Sequence, residues 1–302
     1  MSTAEQKLQL TWEEAVAWYR RQPDNDAAIE ANYFDTDVMA AANRFAASEE
    51  FAATFELVPK AAKTVLDLGA GRGIASFAFA SNHFNVTALE PDGSDDIGAG
   101  AIRKLAREGG LDITVVEEFG EQLPFESESF DVVYARQVLH HARDLRKLCG
   151  EVARVLKPNG IFIAIREHVL KSQNDLAAFL TSHPLHHLYG GEYAYTLEEY
   201  LSAMEAGGIE IKKIIKPFDS VINFFPQSES EMLEKAFRAK MQSLGLTRGA
   251  GVLWKVAKLF VENSRALRAS CVETLNETGY HAGITYSFVG TKSVRADAQK
   301  RQ

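Results

Sequence analysis

Three glycines stand at alternate positions directly after an apolar run and an acid, in the segment VLDLGAGRG at residues 65–73. Glycine permits a sharp backbone turn, has no Cβ to collide with a ligand, and leaves the N–H groups of a following helix accessible. This pattern is typical of a nucleotide-binding turn. A dinucleotide turn requires G-x-G-x-x-G, which would place the third glycine at Ile74 or Ser76. The spacing therefore disfavours an NAD-dependent oxidoreductase, which stays a less favoured alternative.

A second acid follows at the end of the next predicted strand. Glu90 comes after the glycine segment at the position where doubly wound folds place a carboxylate against ribose hydroxyls. An isolated acid at a strand end is usually a turn or cap residue, but the preceding glycines favour the ligand interpretation. Pro91 is then expected to flank an adenine ring.

The pattern Asp-x-Gly-x-Gly-x-Gly resembles motif I of the class I S-adenosylmethionine (SAM)-dependent methyltransferases. Residues 121–125 and 129–133 resemble the loop and fourth strand of that superfamily, and residues 155–160 resemble its turn into the fifth strand. The resemblance covers residues 64–166 and implies an enzyme that uses SAM as cofactor to methylate a small molecule. A protein that keeps the fold and binds SAM or a partner without turnover is the non-enzymatic alternative.

The resemblance also implies which residues contact the cofactor. The superfamily usually has an acid that binds the adenine amino group where this chain has Phe119, so Glu118 or the backbone of Phe119 and Gly120 is expected to replace it. Phe119 either stacks near adenine or packs against the sheet. Arg136 either pairs with the methionine carboxylate or forms a surface ion pair, and Arg44 is a second candidate for that carboxylate. The predicted cofactor residues are Asp67, Gly69, Ala70, Gly71, Gly73, Glu90, Pro91, Glu118, Phe119, Gly120, Arg136 and Gln137.

Six of the eight histidines fall between residues 140 and 187, which raises the question of a metal site. His183 and His186 have a spacing that could share one helix face, but Pro184 breaks a helix there. No acid and histidine signature of a metal enzyme accompanies them. We therefore expect no metal and a role in base catalysis or substrate binding.

Four residues are the predicted catalytic groups. His168 follows the fifth predicted strand beside Glu167, so the sequence favours His168 as a general base oriented by that carboxylate. His140 and His141 follow the fourth strand and are expected to face the same cleft. A base is needed only for an acceptor that is protonated at neutral pH, which favours O-methylation of a hydroxyl or phenol. A purely structural role for these histidines stays open.

Composition limits the partners and the location of the protein. The 302 residues carry a formal charge of −8, which disfavours nucleic acid. Only Cys149 and Cys271 are present, no apolar run is long enough for a membrane span, and the first ten residues lack a signal-peptide core. We expect a cytoplasmic protein that forms no stable membrane insertion and is a possible homodimer. The amphipathic, locally basic segment 254–260 could touch a membrane surface, although packing of a lid helix is favoured.

Alternating strand and helix patterns from residue 63 predict an α/β fold with a doubly wound, mostly parallel, Rossmann-like sheet of seven strands in the order 3-2-1-4-5-7-6. The predicted regions are an N-terminal helical cap at 1–60, a methyltransferase domain at 61–292 and a flexible tail at 293–302. The domain is expected to contain a loop insertion at 169–195 and a helical lid at 218–282 before its last strand.

Overall fold

The structure is a computed structural model that describes residues 10–23, 25–182, 185, 188, 193–246 and 250–293. The glycine-rich part of the predicted loop insertion and all but the first residue of the predicted tail lie outside these residues, as do His183, His186 and His187. None of the described helices is long and apolar enough to cross a membrane.

Within the described residues before the sheet there are four helices: α1 (Trp12–Arg20), α2 (Asp26–Ala31), α3 (Val38–Ala46) and α4 (Glu49–Phe55). Polar side chains fix where three of them begin. Thr11, Asp37 and Ser48 each accept a backbone N–H of the first turn, which satisfies donors that a helix start otherwise leaves unpaired. We refer to these four helices as the cap, and the predicted cap boundary at residue 60 stays a prediction.

The sheet alternates with helices as follows: β1 (Thr64–Leu68), α5 (Ile74–Ser81), β2 (Asn85–Leu89), α6 (Ala99–Gly109), β3 (Ile113–Val116), β4 (Phe130–Arg136), α7 (Leu145–Val155) and β5 (Leu156–Leu170). After β5 come α8 (Leu176–Ser182), β6 (Tyr195–Thr196), α9 (Leu197–Gly207) and β7 (Ile209–Ile215). Four further helices, α10 (Val221–Phe224), α11 (Glu229–Ser243), α12 (Ala250–Asn263) and α13 (Arg265–Thr278), precede β8 (Ile284–Lys292).

The strand order is β3-β2-β1-β4-β5-β8-β7, and β8 runs antiparallel to both of its neighbours. This confirms the doubly wound α/β fold, but the predicted count of seven strands was wrong. The sheet has eight strands because the two-residue β6 pairs with Val169 and Leu170. That pairing is possible because β5 continues four residues beyond the predicted end at Arg166, past a bulge between Ala164 and Glu167.

Apolar residues cover both faces of the sheet. One face packs against α7 and α9, and the other packs against α3, α4 and α5 of the cap and first crossover. Parallel strands buried on both faces leave their carboxyl ends as the edge at which a ligand can approach. The helices α11, α12 and α13 form a separate apolar cluster that includes Trp254 and Phe237.

Candidate functional site

The three glycines after β1 all have left-handed backbone angles, with φ of 62° at Gly69, 52° at Gly71 and 79° at Gly73. They differ in what surrounds them. A Cβ on Gly69 would lie 2.7 Å from Val138, and one on Gly73 would lie 3.0 Å from Ile102, so both positions are filled by neighbouring side chains. A Cβ on Gly71 would meet nothing within 4 Å. Gly71 therefore borders the open space of the loop, while its two neighbours allow close packing.

Glu90 lies directly beside that open position. Its carboxylate accepts the N–H of Gly71 at 2.7 Å and the N–H of Asp92 at 3.0 Å. Burial raises the pKa of Glu90 to about 7, because an apolar environment disfavours the ionised form and the two N–H donors offset this only in part. A carboxylate that already accepts two amide groups has remaining lone pairs for further donors such as ribose hydroxyls.

Asp67, at the end of β1, holds the first turn of α5 rather than the open space. Its carboxylate accepts the hydroxyl of Ser76 at 2.5 Å, and the residue is almost fully buried. Burial raises the pKa of Asp67 to about 7, partly offset by the bonds from Ser76. This carboxylate fixes the strand-to-helix turn that carries the glycines. Ala70, inside the turn, donates its N–H to the carbonyl of Leu89 at the end of β2.

The predicted adenine side of the site lies after β3. A Cβ on Gly120 would lie 2.5 Å from Leu148 and 3.1 Å from Leu68, so glycine is needed for the loop to approach the end of β1. Phe119 is 68% exposed, so its ring does not pack against the sheet. Glu118 is exposed next to it, and Pro91 is exposed beyond Glu90. The stacking of Phe119 on adenine stays a prediction.

Arg136 is held by the cap. Its guanidinium donates to both carboxylate oxygens of Glu50 in α4, at 2.7 and 3.3 Å, and to the side-chain oxygen of Gln137 at 2.9 Å. Arg166 lies 3.5 Å from the same carboxylate, and Glu50 is fully buried. The surface ion pair that the sequence offered as one interpretation of Arg136 is therefore a buried pair. Gln137 itself has φ of 57°, a left-handed conformation at the end of β4.

Two other arginines contact the cap, and one of them joins it to the glycine segment. Arg44 pairs with Asp35 at 2.8 and 3.0 Å within the cap. Arg72, inside the glycine segment, donates to the carbonyl oxygens of Tyr33 at 2.7 Å and Asp96 at 3.0 Å. Burial lowers the pKa of Arg72 to about 10. Sequence reasoning assigned no role to Arg72, although an arginine in the middle of a glycine turn was the available signal.

The segment after β4 brings three histidines together. His140 and His141 lie on a single turn of 3₁₀-helix, with ring centroids 4.2 Å apart, and the ring of His168 from β5 lies 4.8 Å from that of His140. His140 is buried and His141 is exposed. The Nδ1 atom of His140 lies 2.9 Å from a carboxylate oxygen of Glu167.

Glu167 is the fully buried centre of this cluster. It also accepts the backbone N–H groups of Val138 at 2.9 Å and His140 at 3.3 Å. Burial raises the pKa of Glu167, and these backbone donors lower it in part. Because one carboxylate holds both the backbone and the ring of His140, it fixes the orientation of the turn next to the glycine loop.

The hydrogen bonds described for Glu167 go to His140 and Val138, so the orientation of His168 by Glu167 stays a prediction. The Nδ1 atom of His168 lies 2.6 Å from the carbonyl oxygen of Gly283, which can only accept, so Nδ1 carries the proton. Glu167 orients His140, and a backbone carbonyl orients His168.

The two tyrosines after the insertion anchor the chain to this turn. The hydroxyl of Tyr195 donates to the carbonyl of Ala142 at 2.6 Å, and the N–H of Tyr193 donates to the carbonyl of His140 at 2.9 Å. These two bonds fix the end of the predicted insertion 169–195 to the turn that carries His140.

Comparison with known proteins gives the following similarities. Residues 66–164 match the methyltransferase domain family Methyltransf_11. The uncharacterized methyltransferase YcgJ of Bacillus subtilis is 34% identical over 114 residues, which cover 35% of this chain and 41% of that protein. A ubiquinone biosynthesis O-methyltransferase of Actinobacillus pleuropneumoniae is 31% identical over 161 residues, which cover 51% of this chain and 60% of that protein. The chain thus spans about half the length of these relatives.

Solved structures are similar over more of the chain. Geranyl diphosphate C-methyltransferase from Streptomyces coelicolor has a TM-score of 0.55 at 14% identity, covering 94% of this chain and 99% of that one. The [4+2]-cyclase SpnF has a TM-score of 0.53 at 18% identity, covering 86% of this chain and 84% of that one. At such identities the likeness concerns the fold, which carries different activities in the two proteins.

Proposed function

The chain contains a class I SAM-dependent methyltransferase domain, and on this premise we propose that the protein binds SAM at the glycine loop and transfers its methyl group to a small-molecule hydroxyl or phenol. The observation that carries the proposal is the pairing of Gly71 with Glu90. Gly71 has open space around the position of a Cβ, and Glu90 accepts the N–H of Gly71 with one carboxylate oxygen and the N–H of Asp92, in the loop after β2, with the other.

The residues around this loop fit the cofactor in shape and in chemistry. A nucleoside needs acceptors for its ribose hydroxyls, which Glu90 supplies, and a backbone without side chains where it crosses the strand end, which Gly71 supplies. Gly120 lets the loop that is proposed to contact adenine pack closely against Leu148 and Leu68. The assignments of Glu118 and Phe119 to adenine, and of Gln137 to the methionine part, belong to this proposal.

The methionine carboxylate is the least constrained part of the proposed cofactor site. Arg136 can contribute to it only while it also binds Glu50, because both oxygens of that buried carboxylate already accept from its guanidinium. We therefore propose that Arg136 lies at the base of the site and places a positive charge near the methionine carboxylate of the cofactor. The guanidinium of Arg44 is also paired with an acid, Asp35, so Arg44 could bind the methionine carboxylate only while it also binds Asp35.

SAM supplies a methyl group already activated by its sulfonium, so the chain mainly has to align the acceptor with that methyl group. An acceptor hydroxyl must also lose a proton as the new bond forms. With Nδ1 of His140 donating to Glu167, the proton of the neutral ring sits on Nδ1 and the lone pair on Nε2. We propose His140, oriented by Glu167, as the group that takes this proton.

His168 is the alternative base, because its Nδ1 also carries the proton and its ring contacts that of His140. His141 is more exposed than either and is proposed to contact the acceptor at the mouth of the cluster. The N-methyltransferases among the relatives include a dimethylglycine N-methyltransferase that is 36% identical over 107 residues. The choice of oxygen over nitrogen as the accepting atom therefore rests on the histidine cluster alone.

Calorimetry with S-adenosylhomocysteine and, separately, NADH tests the cofactor site. We expect micromolar binding of S-adenosylhomocysteine and none of NADH. In Gly71→Val the new side chain projects into open space, so binding should fall by at least about a hundredfold. The matched control is Gly110→Val, which has a similar left-handed φ of 61° and the same open surroundings at the end of α6, away from the loop.

Equal losses of affinity in the two glycine variants would trace the effect to backbone strain and contradict the assignment of Gly71. Binding of NADH alone would overturn the proposed cofactor. Screening of acceptors that carry hydroxyl, phenol or amine groups then tests the reaction. Bound S-adenosylhomocysteine without methyl transfer to any acceptor class would favour a SAM-binding protein without turnover.

A further inference from the structure

Most of the large apolar side chains that are well exposed in the described part of the chain lie in or next to the helices α11, α12 and α13. Nine large apolar side chains are well exposed among the described residues, and seven of them fall between residues 244 and 267. On α12, the exposed fractions are 71% for Val256, 71% for Leu259 and 68% for Phe260. Contiguous apolar surface of this kind marks an interaction site in a protein that is otherwise well packed.

The exposed residues of α12 form one face of the helix. At 100° per residue, Leu253, Val256, Leu259 and Phe260 fall within an arc of about 120°. Trp254 and Val261, which are buried against α11 and α13, lie on a separate arc. The helix therefore has two apolar faces, and the internal packing of the lid uses only one of them.

The segment around α12 is basic, whereas the whole chain is acidic. Residues 240–270 contain six lysines and arginines and only one acid, whereas the chain as a whole has a formal charge of −8. Lys255 and Lys258 lie between the exposed and buried faces of α12, and Lys258 is 3.7 Å from Glu262. A helix with an apolar face bordered by lysines is complementary to a partner that has an anionic surface and an apolar interior.

We propose that the exposed face of α12 docks on an anionic lipid bilayer surface, with Leu259 and Phe260 entering the interfacial region and Lys255 and Lys258 contacting lipid headgroups. A second copy of this chain fits less well, because two basic faces repel when they meet symmetrically. The proposal concerns a docking surface only and does not depend on methyl transfer.

Vesicle sedimentation of the full chain tests this inference. We expect binding to phosphatidylcholine vesicles that contain about 30% phosphatidylglycerol, and at least tenfold weaker partitioning to phosphatidylcholine alone or at high salt. The variant Leu259→Ser/Phe260→Ser should lose binding to vesicles with and without phosphatidylglycerol. The variant Lys255→Glu/Lys258→Glu should lose the preference for anionic lipid. The matched control Lys104→Glu/Arg107→Glu makes the same change of charge on the exposed face of α6 and should bind as the parent does.

Circular dichroism and size-exclusion chromatography with light scattering accompany each variant. The inference is overturned if the parent does not sediment with anionic vesicles, or if the α6 control loses binding as strongly as the α12 charge variant. It is also overturned if the parent is a dimer that Leu259→Ser/Phe260→Ser converts to a monomer, because the face is then covered by a second copy. Vesicle binding is read without cofactor or acceptor, so its failure leaves the proposed methyl transfer untouched.

Discussion

At the scale of single residues, the sequence was informative where the backbone itself sets the requirement. A glycine run after a strand demands left-handed conformations, and all three glycines adopt them. The sequence could not separate their roles, because these depend on Val138 and Ile102, which approach from distant parts of the chain. Likewise, the position of Glu90 followed from its spacing, but its bond to Gly71 requires the folded turn.

The carboxylate of Glu90 should make cofactor affinity depend on pH. Its pKa of about 7 means that the group becomes protonated below neutrality, and only the ionised form can accept from both ribose hydroxyls. We expect the affinity for S-adenosylhomocysteine to fall up to about tenfold per pH unit below pH 7. Calorimetry at a series of pH values measures this fall.

Glu90→Gln serves as the control for that series, because it keeps the size of the side chain and cannot ionise. It should bind S-adenosylhomocysteine about tenfold or more weakly at pH 8 and show a flatter dependence between pH 5.5 and 8. A parent affinity that does not change over this range, or a variant with the same slope as the parent, would contradict the role of Glu90.

Glu167→Gln tests the proposed base at the same scale. The amide removes the negative charge that stabilises a protonated His140, while the bonds to the backbone of Val138 can persist. With a hydroxyl acceptor, we expect turnover to fall by about a hundredfold with little change in affinity for S-adenosylhomocysteine.

Histidine variants separate the two candidate bases. His140→Gln should lower turnover by as much as Glu167→Gln, and the double variant should be no slower, because both changes disable one unit. His168→Gln should have a smaller effect. If Glu167→Gln lowered the affinity for S-adenosylhomocysteine by as much as it lowered turnover, Glu167 would only support the loop.

At the scale of elements, the partners of the site residues depend on contacts between distant parts of the sequence, which local patterns do not predict. Arg136 and Glu50 are 86 positions apart, so no local pattern links the end of β4 to the cap. The carbonyl that accepts from Nδ1 of His168 belongs to Gly283, 115 positions further along the chain, so no local pattern links these two residues either.

The cap should depend on its buried acid. In Glu50→Gln, Arg136 and Arg166 keep their charges without a carboxylate between them, which is costly in a buried environment. We expect a loss of about 3 kcal/mol in the free energy of unfolding, measured by urea denaturation. The neighbouring Glu49→Gln, on the exposed side of α4, should cost less than about 1 kcal/mol. Similar losses in both variants would show that the buried pair does not anchor the cap.

At the scale of the whole molecule, the buried acids should set part of the pH dependence of stability. Glu90 has a folded pKa of about 7 against an ordinary value of 4.5, so its contribution is fully present below pH 4.5 and is lost as the pH rises through 7. Between pH 4.5 and 8, we expect the parent to lose about 2–3 kcal/mol of unfolding free energy relative to Glu90→Gln. A constant difference across urea titrations at these pH values would contradict the raised pKa.

The order of the sheet could be predicted because alternating strands and helices allow few topologies. The eighth strand could not, since two residues carry too little pattern and their pairing depends on the continuation of β5 past its bulge. The histidine cluster was predicted as a group, but its internal bonds were not, because they depend on where a turn of 3₁₀-helix places each ring.

The Glu50 anchor also bears on the order in which the chain is made. During synthesis α4 leaves the ribosome 86 residues before Arg136, and Arg166 emerges later still. A carboxylate that is fully buried in the finished protein is too costly to bury alone, so it must stay hydrated during that interval. The cap, although it is translated first, can therefore reach its final packing against Arg136 and Arg166 only after β5 has emerged.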